Sequence, residues 1–203
     1  MENTIVEPSQ EAKPNIEQVV NELDKILEGR DGIKFSEAWK YREEIRAKYG
    51  LPECGYRWED PIRYIEEIES FLKKNGVRVR DKHEFSNFFK ENPTATALHS
   101  GPNVFRDSTV VVQSASDGEW FRLRARANQL SHESVHALQA AKYPIMPNEE
   151  AEKEAYYYQM FTPQLILQYK DDPNFLFEWI NGVIERNINS STAVDKEING
   201  RSK

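Results

Sequence analysis

Apolar residues recur at helical spacing in the first part of the chain. The stripe over residues 15–27 predicts a helix that the following glycines end, and a thinner stripe predicts a second helix over 36–48. A third helix is expected over 61–72, because Asp60 can cap its start and Pro61 suits the first helical position. These segments indicate a helical N-terminal region.

Alternating and β-branched segments predict strands farther along. Residues 77–80 alternate between valine and arginine, residues 108–113 are rich in β-branched side chains, and residues 119–124 alternate again. The Asp-Gly pair at 117–118 is typical of a tight turn, so the last two segments are expected to form a β-hairpin.

The pattern as a whole predicts an α+β protein that is mainly helical. A β-hairpin or small antiparallel sheet is expected to pack on a histidine-bearing helix and on the glutamate-bearing helix after it. The expected organisation is a disordered arm (1–14), a helical N-terminal region (15–93), a second folded region (94–186) and a flexible tail (187–203). The helical N-terminal region is expected to brace the second region or, alternatively, to serve as a docking or regulatory arm.

Charge and composition narrow the function classes. The formal net charge is −7 and no basic stripe interleaves with aromatic residues, which argues against nucleic-acid binding as the main activity. Cys54 is the single cysteine, so no disulfide within the chain is possible. No signal peptide or membrane-spanning run is evident, and a soluble, cytoplasmic protein is therefore expected.

The segment with the most chemical information is His132-Glu133-x-x-His136, inside a helix expected from about Asn128 to the proline at 144. Histidines four apart lie on the same helical face, so both imidazoles can reach one Zn²⁺. Glu133 is then placed to take a proton from water as the water attacks a carbonyl carbon. The motif predicts a metallohydrolase.

A third ligand is expected from the next helix, which begins near residue 147. Glu152 shares a face with Ala155, Tyr156 and Gln159, and the small Ala155 would allow this helix to approach the histidine helix closely. Glu152 is therefore the first choice for a metal ligand and Glu154 the second. The other acidic residues in the first turn suit the helix dipole.

These residues resemble the gluzincin metallopeptidases, which include the CAAX-type proteases and the small soluble minigluzincins. In that family the zinc motif is followed on the next helix by Glu-x-x-Ala-Asp, and this chain has Glu152-x-x-Ala155 with Tyr156 in the place of the aspartate. The resemblance covers about residues 107 to 162. It implies that His132, His136 and Glu152 bind zinc and that Glu133 is the general base.

Several other side chains are candidates for supporting roles. The Tyr156 hydroxyl can serve as a hydrogen-bond partner of a ligand histidine or can point at substrate. His99 can stabilise the oxyanion of a tetrahedral intermediate, and so can Tyr143, Tyr156 or Tyr157. A packing role for any one of them is the simpler expectation.

The expected function is therefore that of a zinc metallopeptidase acting on peptide or protein substrates. Zincins hold such substrates extended along an edge strand. One alternative enzyme is a peptide deformylase with Cys54 as third ligand, although the surroundings of Cys54 lack the glycines typical of that family. An alternative from another class is a non-enzymatic helical interaction module with a structural or vestigial metal site. The oligomeric state is left open.

Overall fold

Helices make up most of the part of the chain that the structure, a computed structural model, describes: residues 15–52, 61–81, 90, 98–100, 109–112, 120–143 and 145–201. The helices are α1 (Ile16–Ile26), α2 (Phe35–Tyr49), α3 (Pro61–Lys74), α4 (Trp120–Lys142), α5 (Asn148–Met160), α6 (Pro163–Tyr169) and α7 (Pro173–Arg201). The strands are β1 (Arg78–Asp81), β2 (Leu98–Ser100) and β3 (Thr109–Val112). The predicted α+β, mainly helical class is confirmed.

The first three helices form where the apolar stripes predicted them. The Asn15 side chain caps α1 by accepting a hydrogen bond from the Glu17 backbone N–H at 3.1 Å. Gly50 ends α2 in the left-handed conformation, with φ of 68°, which glycine adopts without the steric cost of a Cβ. In both cases the local sequence determines where the helix stops or starts.

The three strands form a mixed sheet in the order β1-β3-β2. β1 runs parallel to β3, with Arg78 opposite Thr109, and β2 runs antiparallel to β3, with His99 opposite Val110. The side chains of Val110, Val111 and Val112 are almost fully buried, which accounts for the β-branched run in the central strand.

The predicted hairpin between residues 108–113 and 119–124 is wrong in its second half. Trp120 begins helix α4, so this segment is helical, and β3 pairs with β1 and β2 instead. The alternation over five or six residues was too short to distinguish the two structures. As a helix, the segment places the partly buried Leu123 on one apolar stripe with the buried Ala127 and Leu130.

Helix α4 therefore begins earlier than the expected start near Asn128, and it ends at Lys142, just before the proline at 144 as predicted. Buried residues lie along it on more than one side. Ser131 and Ser134 are buried and donate hydrogen bonds to backbone carbonyls of their own helix at 2.9 and 2.8 Å. The Tyr64 hydroxyl bonds to the Ser131 hydroxyl and so ties α3 to α4.

Two hydrophobic clusters meet at helix α5. One contains α3, β1, β3 and α4, and the other contains α1, α6 and α7; both draw on α2 and α5. Each cluster thus combines residues from both sides of position 94, and the domain boundaries stay predictions. Helix α7 continues through the segment from residue 187 onward that was predicted to be a loose tail.

Some expectations fall outside the described residues and are not tested. They concern the N-terminal arm, the surroundings of Cys54 and the turn at 117–118. None of the helices within the described residues has the length and apolar character that a membrane crossing requires.

Candidate metal centre

Helix α4 presents both histidines of the motif on one face. Their Nε2 atoms are 3.0 Å apart, and the two ring centroids are separated by 4.7 Å. The side chains of His132 and His136 are 12% and 16% exposed, so each ring is largely enclosed. This is the arrangement that a spacing of four residues produces on a helix.

Helix α5 brings Glu152 to the two histidines. One carboxylate oxygen lies 3.3 Å from Nε2 of His132, and the other lies 3.4 Å from Nε2 of His136. The small Ala155 is fully buried in the cluster that contains α4, one turn from Glu152 on the same face, as the sequence argument required. The first choice of third ligand is thus the acidic residue that meets the histidines.

The distances fit a metal ion. Ligand atoms of His132, His136 and Glu152 all lie within 4.8 Å of one another, and this group could hold a cation. Ligands at about 2.0–2.1 Å from a tetrahedral centre are separated from each other by about 3.3–3.4 Å. The 3.0 Å between the two Nε2 atoms is near this value, and each Nε2 has one of the two Glu152 oxygens at 3.3 or 3.4 Å.

The group is also electrostatically matched. Burial would raise the pKa of Glu152, but hydrogen bonds from His132 and His136 outweigh it and hold the pKa well below its usual range. For His136, burial favours the neutral ring, whereas the hydrogen bond and charge of Glu152 raise the pKa. A carboxylate that balances two imidazole rings in this way supplies the negative charge that a bound cation would need.

Glu133 lies beside the histidines with its side chain buried. Burial raises the pKa of its carboxyl, the neighbouring charge of Glu152 acts in the same direction, and the two histidines oppose the shift. A general base is most effective when its pKa lies near the working pH, so a raised carboxyl pKa suits proton transfer.

Gln139 supports His136, a role that its position in the sequence did not predict. This residue is buried, and its Oε1 lies 2.8 Å from Nδ1 of His136. Its Nε2 donates to the Ala151 carbonyl and to Glu154 Oε2, both at 3.0 Å. A glutamine three residues after the second histidine, on the same helical side, was the available signal.

Glu154, the second choice of ligand, faces helix α2 instead of the histidines. It accepts hydrogen bonds from the Lys48 ammonium at 2.7 Å and from the Tyr49 hydroxyl at 2.5 Å. Burial opposes ionisation, but the bonds from Lys48, Tyr49 and Gln139 lower the pKa of Glu154. Glu154 is therefore a buried, ionised partner of α2.

Tyr156 contacts His132 through its ring and not through a hydrogen bond to Nδ1. The ring centroids are 4.5 Å apart in an edge-to-face arrangement, and Nδ1 of His132 is buried with no hydrogen-bond partner in the part of the chain that the structure describes. Burial and the charges of Glu152 and Glu133 raise the pKa of Tyr156 to about 12. Its hydroxyl therefore stays protonated and lies in the field of both carboxylates.

The other candidates for oxyanion stabilisation are His99, Tyr143 and Tyr157. His99 is part of β2, where its backbone pairs with Val110. The Tyr143 ring lies against Tyr49, with centroids 6.1 Å apart, and the Tyr157 ring packs on Phe161 at 5.3 Å. These contacts give both tyrosines a packing role.

Comparisons with protein-family models, with curated proteins and with solved structures found no match for this chain.

Proposed function

We propose that the chain is a zinc-dependent metallopeptidase of the gluzincin type. In this proposal His132, His136 and Glu152 hold the zinc, and Glu133 is the general base. The observation that carries the proposal is the convergence of two imidazole nitrogens and a carboxylate within 4.8 Å, beside a buried glutamate. Two histidines and one glutamate are a donor set that catalytic zinc sites use.

The chain's own residues account for the proton transfers. A zinc ion, when bound, would supply a Lewis acid that polarises a carbonyl and makes water more acidic. Glu133 takes the proton of the attacking water and passes it to the leaving amine. Tyr156, whose hydroxyl is protonated and whose ring lies against His132, is the donor that we propose for the oxyanion.

The number of ligands favours catalysis over a structural role. Within the part of the chain that the structure describes, three groups and not four converge on the site. A structural zinc site is closed by four protein ligands, whereas a catalytic site keeps a position open for water or substrate. The rival reading, an interaction module with a structural or vestigial metal, lacks the fourth ligand among these residues.

The sheet offers a place for an extended substrate. β2 is an edge strand that contacts helix α4, whereas the other edge strand, β1, contacts α3. No strand among the described residues pairs with the outer side of β2. A peptide that adds to this edge would gain main-chain hydrogen bonds without a sequence requirement, so we propose β2 as the substrate-binding edge.

Replacing Glu133 by glutamine tests this function. The change keeps the size of the side chain and removes its basicity, so we expect zinc content and fold to be retained. Hydrolysis of casein or of a fluorogenic peptide library should fall by about a hundred- to ten-thousand-fold. Metal analysis of protein purified without added zinc, a thermal melt and the peptide assay are the three measurements.

The results separate the proposal from its rival. A wild-type protein that neither contains nor takes up zinc would refute the metallopeptidase. A wild-type protein that binds zinc but hydrolyses no peptide, and whose zinc content Glu133→Gln leaves unchanged, would instead support a structural zinc site.

A further inference from the structure

The ring orientation of His136 can be deduced from its hydrogen-bonded neighbours. Gln139 directs its Nε2 at two groups that only accept hydrogen bonds, the Ala151 carbonyl and the Glu154 carboxylate. The amide can therefore adopt only one orientation, in which Oε1 faces Nδ1 of His136 at 2.8 Å. Because Oε1 can only accept, Nδ1 must carry a proton.

A proton on Nδ1 leaves Nε2 as the metal-binding nitrogen of the neutral ring. Nε2 is the atom that faces Glu152 at 3.4 Å and His132 at 3.0 Å. The hydrogen bond from His136 to Gln139 thus selects both the tautomer and the ring orientation that metal binding requires. Gln139 acts on the metal through His136 and does not itself reach it.

Glu154 keeps Gln139 in this orientation, and helix α2 keeps Glu154 in place. The Lys48 ammonium binds one carboxylate oxygen, and the Tyr49 hydroxyl shares the other with Gln139. Glu154 is 3% exposed, so removal of any of these donors leaves a buried charge partly unsatisfied. A continuous chain of hydrogen bonds therefore joins the end of α2 to a ligand histidine.

We propose that Gln139 and Glu154 are positioning residues, through which Lys48 and Tyr49 of helix α2 set the metal affinity of His136. The inference rests on the proposed function, since it assumes that His136 is a ligand. It assigns the N-terminal helical region a direct part in the metal centre. Among the described residues His132 has no equivalent support, because none of them forms a hydrogen bond with its Nδ1.

Zinc affinity of graded variants tests the proposal on the full chain, by competition with a chromogenic chelator. We expect Gln139→Leu to weaken zinc binding by about 10- to 100-fold, the range typical of lost partners of ligand histidines. Glu154→Gln should weaken it less, and Tyr49→Phe least, since each acts one step farther from His136. None of these residues contacts the metal.

The matched control is Glu150→Gln, which removes an exposed charge from the same helix. It should leave zinc affinity unchanged, because an exposed charge is screened by solvent. Tyr49→Phe removes a single hydroxyl and serves as the variant that keeps the fold if Gln139→Leu does not. A thermal melt on each metal-free protein reports the fold.

A second measurement reports the ring itself. In metal-free protein with ¹⁵N-labelled histidine, we expect a His136 Nδ1 proton that is protected from exchange, and we expect Gln139→Leu to lose this protection. Wild type that binds no zinc would refute the proposed function and the inference with it. Zinc binding that Gln139→Leu and Tyr49→Phe leave unchanged, or a His136 Nδ1 that carries no protected proton, would overturn the inference alone.

Discussion

Helix α5 has two sides that each present a glutamate, and the two carboxylates have opposite surroundings. Glu152 faces the histidines of α4, with nitrogen–oxygen distances of 3.3 and 3.4 Å. Glu154 faces α2, where an ammonium group lies 2.7 Å away. Two residues along a helix correspond to a rotation of about 200°, so neighbouring glutamates of one acidic run reach different parts of the protein.

The partners of Glu152 and Glu154 show what distinguishes a carboxylate that could bind a metal ion from one that stabilises the fold. Glu154 meets a cation and two hydrogen-bond donors, and its lone pairs are already used by Lys48, Tyr49 and Gln139. Glu152 meets two imidazole nitrogens, and with them it forms a group that could hold a metal ion. Charge alone does not separate the two residues; the partners do.

The largest expected effect on zinc binding comes from replacing Glu152, which faces the histidines. Glu152→Gln removes the only carboxylate of a three-ligand site, and we expect it to abolish tight zinc binding, as measured by chelator competition and metal analysis. Glu149→Gln and Glu150→Gln, which change exposed residues in the first turn of the same helix, should keep the metal. Equal losses from all three would mean that the total negative charge of the helix, and not its face, controls binding.

The meeting of Glu152 with His132 and His136 could be predicted from the sequence, because helical geometry determines which residues share a face. The spacing of His132 and His136 and the position of Glu152 relative to Ala155 depend only on residues per turn. The contact of Glu154 with helix α2 was not predictable in the same way. Lys48 and Glu154 are more than a hundred residues apart in the chain, and no local pattern announces their contact.

A similar limit applies to the fold. The helices over the first part of the chain follow from long apolar stripes and caps, and the structure confirms them. The segment that begins α4 was misassigned, because Trp120 to Arg124 alternates over too few residues for periodicity to decide. Its continuation as a helix is favoured by the apolar stripe of the partly buried Leu123 and the buried Ala127 and Leu130, which extends beyond that window.

A smaller effect is expected from separating the two helices. Ala155 is fully buried in the cluster that α4 and α5 share, so Ala155→Leu would overpack it and should cost roughly 1–3 kcal/mol of unfolding free energy. The larger side chain would also push helix α5 away from α4, which would move Glu152 away from the histidines and weaken zinc binding. Denaturant unfolding and chelator competition measure the two effects, with the exposed-site variant Glu150→Leu as control. A destabilised variant that keeps the full zinc affinity would contradict the argument that Ala155 sets the approach of Glu152.

The smallest effect on metal binding is expected from Tyr156→Phe, which separates the ring of Tyr156 from its hydroxyl. The ring lies edge-to-face with His132 at 4.5 Å, and the Tyr156 hydroxyl forms no hydrogen bond with Nδ1 of His132, so phenylalanine preserves the ring contact. Zinc affinity should therefore stay at the wild-type value, whereas loss of a hydrogen bond to a ligand histidine would cost about 10- to 100-fold.

If the hydroxyl stabilises the oxyanion, kcat of Tyr156→Phe should fall by about 100- to 1,000-fold. Tyr156→Ala should weaken zinc binding as well, because His132 loses its packing partner. A Tyr156→Phe variant with reduced zinc affinity and unchanged kcat would show that the hydroxyl supports a ligand instead of the transition state, and the oxyanion role would then have to be assigned to another donor.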